Sequence, residues 1–98
     1  MAFKILFTEA FNDSFKKLTR KNRAIKERLT KKIVHILANP YIGEPKSHNL
    51  KGVRGSHVNP YVIVYLFDRD KIVFIYVDHH NKVYARASEI LEKIEYQY

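Results

Sequence analysis

Tyr61-Val62-Ile63-Val64-Tyr65-Leu66-Phe67, then Asp68-Arg69-Asp70-Lys71, then Ile72-Val73-Phe74-Ile75-Tyr76-Val77 is the stretch that decides the fold. Two apolar runs rich in β-branched and aromatic residues, parted by four charged ones, read as strands joined by a tight antiparallel turn. Side chains alternate across a strand, so Val62, Val64, Leu66 and Val73, Ile75, Val77 form one set. Tyr61, Ile63, Tyr65, Phe67 and Phe74, Tyr76 form the other. The aliphatic set is expected to face helices, and the aromatic set to line a partly open, shallow cleft. An extended continuation would point His80 the same way as Tyr76.

Upstream, Asn59-Pro60 separates these strands from a shorter one ending near His57 and Val58. From Tyr41 to Gly55 no period is visible, and Gly43, Pro45, Gly52 and Gly55 mark an ordered loop. Before it, Phe11, Phe15 and Leu18 recur at helical spacing after Thr8, and Ile25, Leu29, Ile33, Ile36 and Leu37 do so after Asn22. Thr8 and Asn22 suit helix caps, and Asn39-Pro40 ends the second run because proline disfavours helix in the residue before it. Phe3, Ile5 and Phe7 alternate as an opening strand, and Ala87, Ile90, Leu91 and Ile94 suit a closing helix. The order β-α-α-β-β-β-α predicts an α+β fold: a helix hairpin on one face of a small, mainly antiparallel sheet, with a C-terminal helix. At 98 residues a single domain over 1–98 is expected.

Cysteine is absent, which removes disulfides and thiolate metal ligands and suits a reducing compartment. No apolar run nears the roughly 18 residues of a membrane span, and the first residues do not have the pattern of a secretion signal, so the expected location is the cytoplasm, with no membrane partner. Net charge is +8, and nine of the eighteen Lys and Arg residues fall between Lys16 and Lys32, against Glu27 alone. Such a field draws polyanions, so nucleic acid or an acidic protein is the expected partner.

Five histidines focus the chemistry, because imidazole exchanges protons near neutrality. His48, His57, His79 and His80 lie in the loop and strand half, among Lys46, Lys51, Arg54 and, further on, Arg86; His35 reads as a surface or packing residue. Cutting RNA without a metal needs a base for the 2′-hydroxyl, an acid for the leaving 5′-oxygen and cations beside the phosphate. Tyr61, Tyr65 and Tyr84 are available to stack on an unpaired base. A zinc site at Asp78-His79-His80 is the rival, disfavoured because neighbours on an extended strand point to opposite faces. The three glycines form no phosphate-cradling loop, so no nucleotide cofactor is expected.

His48-Asn49-Leu50-Lys51-Gly52, Ser56-His57-Val58-Asn59-Pro60-Tyr61-Val62-Ile63-Val64-Tyr65 and Asp78-His79-His80-Asn81-Lys82-Val83-Tyr84, in that order, resemble the RelE/ParE superfamily of toxin–antitoxin toxins over nearly the whole chain. Within it the chain is most similar to the histidine-rich YafQ-type messenger-RNA endonucleases. The resemblance implies an mRNA interferase that cuts messages threaded through the ribosome, without metal or cofactor, held in check by a small acidic antitoxin. It implies catalytic roles for His80, His57, His48 and Tyr84, with His80 first. Lys46, Lys51 and Arg54 resemble the cationic positions of lysine- and arginine-based relatives; Arg86 and Tyr61 join them as RNA-binding candidates. Tyr61 departs from the pattern, in which an acidic residue can follow the proline. Two alternatives stand beside this reading: a ParE-like toxin that binds DNA gyrase and cuts nothing, and a degenerate module that only binds RNA or its antitoxin.

Overall fold

The computed structural model describes residues 3–45 and 52–95. The elements run β1 (Lys4–Phe7), α1 (Glu9–Thr19), α2 (Arg23–Ala38), a 3-10 turn (Pro40–Ile42), β2 (Glu44–Pro45), β3 (Val53–Val58), β4 (Tyr61–Asp68), β5 (Lys71–His79) and α3 (Val83–Glu95). They follow the expected order, with the two-residue β2 as an addition inside the loop. The five strands form one sheet in the order β1-β5-β4-β3-β2, in which β1 runs parallel to β5 and the other pairs are antiparallel.

Local chemistry sets the helix ends. Thr8 accepts a hydrogen bond from the Phe11 amide at 2.9 Å and donates one to the Ile75 carbonyl at 2.7 Å, so a single hydroxyl caps α1 and ties it to the sheet. Asn22 accepts from the Ile25 amide at the start of α2. Asn39 closes α2 and its side chain accepts from the Tyr41 amide, turning the chain into the 3-10 segment.

The assignment of faces departs from expectation. Ile63, Tyr65, Ile72 and Phe74, with Tyr61 and Phe67 at the margin, pack against Phe11, Ile25, Leu29 and Ile36 of the α1–α2 hairpin. The aliphatic residues Val62, Val64, Val73 and Ile75 lie instead under Val83, Ala87 and Ile90 of α3. Both faces are covered, so the open aromatic cleft does not exist. Alternation fixes which residues share a face but is silent on which helix covers it. Phe74 shows why the rings go to the hairpin: it meets Phe7 at 4.8 Å, Phe11 at 5.4 Å and Tyr65 at 6.0 Å, and so extends an aromatic cluster that α1 already supplies.

Parity also breaks inside β5. Val64 pairs with Tyr76 but Tyr65 pairs with Phe74, so Ile75 is an extra residue opposite that step. This bulge puts Ile75 and Tyr76 together on the α3 side and turns Val77 to the hairpin side. It re-aims every β5 side chain beyond it, those of Asp78 and His79 included.

Tyr65 is fully buried, and its hydroxyl donates to the Pro40 carbonyl at 2.7 Å while accepting from the Gly43 amide at 3.0 Å. A Cβ at Gly43 would sit 2.9 Å from the Tyr65 ring carbons. Gly43→Ala is therefore expected to destabilise the fold by about 1–3 kcal/mol through overpacking, read as a lower midpoint in urea. At the far edge of the sheet β1 exposes Ile5 (42%), Leu6 (40%) and Phe7 (43%), an apolar strip beside unpaired backbone. Among the described residues no helix is long and apolar enough to cross a membrane.

Candidate functional site at the β3–β4 turn

Three segments meet where β3 turns into β4 through the cis Asn59-Pro60 bond. His57, next to last in β3, is exposed. Its register partner is Val62, and Val62 in turn pairs with Asp78, so His57 and Asp78 flank one row of the sheet. From the end of β5, His80 folds back on the turn: its amide donates to the Pro60 carbonyl at 3.1 Å, and its Nδ1 lies 3.3 Å from the same oxygen. A carbonyl only accepts, so in the tautomer that carries the ring proton on Nδ1 this contact is a hydrogen bond and Nε2 is left open. The third segment is α2, whose Arg28 donates to the Asn59 carbonyl at 3.0 Å.

His80 does not continue the strand. β5 ends at His79, and the ring of His80 stacks on that of His79 with centroids 4.4 Å apart. The two rings do not point to opposite faces as expected, because strand parity does not extend into a turn. His79 accepts at Nδ1 from the Asn81 amide at 3.3 Å and meets Tyr61 edge-on at 6.5 Å. Tyr61, His79 and His80 thus form one aromatic run along the turn. Among the described residues no group of three His, Cys, Asp or Glu side chains is placed to hold a metal ion.

The remaining candidates divide. Tyr84, second in α3, packs, half-buried, against the aliphatic core. Arg86, two residues on, pairs with Glu89 at 2.7 Å; that hydrogen bond and charge raise its pKa. Arg54 donates to the Gly43 carbonyl at 2.8 Å and to that of Tyr41 at 3.3 Å, and its guanidinium lies 5.2 Å from the centre of the Tyr41 ring. It clamps the 3-10 turn. His48, Lys46 and Lys51 lie outside the described residues.

Two grooves border this end of the sheet. One, of about 340 Å³, is lined by Arg28, Lys31, Lys32 and His35 of α2 together with His57, Val58 and Asn59. His35, set aside in the sequence as a surface or packing residue, therefore shares a groove with His57. The signal was available in the sequence: positions 28, 31, 32 and 35 fall on one helical face. The larger groove, of about 590 Å³, runs between α1 and the start of α3, and mixes Glu9, Asp13 and Asp78 with Lys17, Lys82 and Arg86.

Tyr76 borders the larger groove and donates to Asp78 at 3.2 Å. Burial, and then the Asp78 carboxylate, raise its hydroxyl above the usual value, against the opposing pull of Arg86. Burial likewise raises Tyr65, partly offset by the Gly43 amide and the Arg54 charge. A raised tyrosine pKa means that the folded state holds the proton more tightly than the unfolded chain. This contribution to stability is complete below about pH 10 and is lost as pH rises through the folded value. Urea midpoints measured from pH 8 to 11 are expected to fall at the alkaline end, and to fall less in Tyr76→Phe.

Similar solved structures include chains of toxin-antitoxin complexes. The E. coli DinJ-YafQ toxin-antitoxin complex contains a chain that aligns with a TM-score of 0.72 at 19% identity, covering 86% of this chain and 99% of that one. The YoeB/ParE toxin from Agrobacterium tumefaciens aligns at 0.70 and 18%, covering 80% and 99%. The YoeB dimer from Staphylococcus aureus aligns at 0.66 and 20%, covering 82% and 99%. No curated protein matches. The profile of the ParE toxin of type II toxin-antitoxin system, parDE, matches residues 5–84. The chain belongs to this toxin family, within the RelE/ParE superfamily.

Proposed function

We propose that this toxin is an endoribonuclease of the cytoplasm that cuts messenger RNA, acting on messages engaged with the ribosome. The observation that carries the reading is that His57, exposed near the end of β3 just before the Asn59-Pro60 turn, and His80, hydrogen-bonded to the Pro60 carbonyl, lie at the same end of the sheet. His80, with Nε2 as its basic nitrogen, suits the removal of the 2′-hydroxyl proton. The 2′-oxygen then attacks the adjacent phosphorus and the bond to the 5′-oxygen breaks; His57, protonated, suits donation of a proton to that oxygen. The products are a 2′,3′-cyclic phosphate and a free 5′-hydroxyl. Arg86 and Tyr61 border the same end of the molecule and suit contacts to phosphate and base; Tyr84 supports α3 beside them. His48, Lys46 and Lys51 complete the proposed set.

A small acidic antitoxin is the proposed partner, matched to a net charge of +8 and to the apolar strip Ile5-Leu6-Phe7 on the open edge of β1. Expression of the chain alone in growing cells is expected to stop translation and leave cleaved messages, read by primer extension; growth arrest with intact messages would count against the nuclease. The gyrase-directed reading is favoured by one observation, the match to the ParE family itself. Supercoiling of relaxed circular DNA by gyrase and ATP, blocked by the toxin, would support it.

A further inference from the structure

We infer that the groove between α2 and the β3–β4 turn binds the phosphodiester backbone of single-stranded RNA, and that His35 is one of its ligands. The inference deepens the nuclease reading and rests on it for the identity of the strand. Its basis is the composition of the groove: three permanent cations, Arg28, Lys31 and Lys32, and the imidazole of His35, facing a wall formed by His57, Val58 and Asn59, with no carboxylate among the described lining residues. Glu27, the acid within the basic stretch, lines a neighbouring groove with Arg23, Lys26 and Lys31.

Four of these side chains come from one face of α2 across two helical turns, a ridge roughly 10 Å long, enough to follow a backbone past a single phosphate. Arg28 is already oriented by its bond to Asn59, so its remaining N–H donors face an incoming anion with little ordering left to do. An acidic peptide fits less well. The groove's apolar lining is Val58 alone, whereas the exposed apolar surface that would anchor peptide side chains lies on β1. His57 is among the groove's lining residues, so a strand lying in it passes the residue proposed as the acid.

The test uses the full chain and a fluorescein-labelled 2′-O-methyl RNA 12-mer, which cannot be cut through its 2′-oxygens, followed by anisotropy across a series of KCl concentrations. The triple variant Lys31→Ala/Lys32→Ala/His35→Ala is expected to weaken binding about tenfold or more and to flatten the salt dependence by about one for each phosphate no longer engaged. Lys31 and His35 are exposed and Lys32 is half-buried, and an unchanged thermal midpoint confirms that the fold survives. Lys26→Ala removes a charge from the same helix outside the groove and is expected to weaken binding less than about threefold. Triple-variant affinity within twofold of wild type, or an equal loss in Lys26→Ala, would overturn the groove. So would poly-glutamate of matched charge binding as tightly as the RNA and losing as much in the triple variant. Cleavage in a translating extract is followed in parallel. Wild-type cleavage with unchanged RNA affinity in the triple variant sinks the groove alone, and groove-dependent RNA binding with intact messages sinks the nuclease alone.

Discussion

His80→Ala is expected to lower the rate of message cleavage by about 100- to 10,000-fold, the range spanned by the loss of one positioned acid or base. The expectation follows from the turn that holds the ring. In the tautomer that donates from Nδ1 to the Pro60 carbonyl, Nε2 is the nitrogen open to a substrate hydroxyl. His80→Gln is the informative companion, since it can keep a hydrogen bond to Pro60 but cannot exchange protons. If both variants lose cleavage and keep RNA affinity, the imidazole acts chemically; if His80→Gln retains the wild-type rate, its role is to hold the turn. His57→Ala/His80→Ala should abolish toxicity altogether. Toxicity that survives both changes would transfer the weight of evidence to a gyrase-directed toxin.

The largest expected effect on stability lies at Phe74. This side chain is fully buried and touches Phe7, Phe11 and Tyr65, so it joins β1, α1 and β4 through β5. Phe74→Ala should cost about 3–5 kcal/mol, from forfeited transfer free energy and a cavity that three rings cannot refill. A domain of this size has only about 5–15 kcal/mol in hand, so the variant is expected to melt far below wild type or to populate unfolded chain at 37 °C. A midpoint in urea close to wild type would mean that the aromatic cluster contributes much less than its geometry implies.

Much of the architecture was legible in the residues. Thr8, Asn22 and Asn39-Pro40 mark helix ends because their side chains compete locally for backbone hydrogen bonds, or because a ring forbids the next helical turn, and neither effect needs the rest of the fold. The candidate site was legible in part. His57 and His80 stood out by residue type and by resemblance, while His35 did not: helical spacing sets it on one face with Arg28, Lys31 and Lys32, but not what packs opposite that face. Arg54 had the right charge for a phosphate ligand, yet two backbone carbonyls and the Tyr41 ring engage its guanidinium.

By itself the sequence determined the order of elements, the alternation within each strand, the basic character of α2 and the resemblance to a toxin superfamily. These depend on neighbours a few residues apart and on net charge, which the chain carries whether folded or not. The tertiary structure alone decided which helix covers which face, where β5 bulges, and that His80 turns back onto Pro60 beside the groove shared by His35 and His57. Such choices compare packings between segments tens of residues apart. Only contact energies summed over the whole core can rank them.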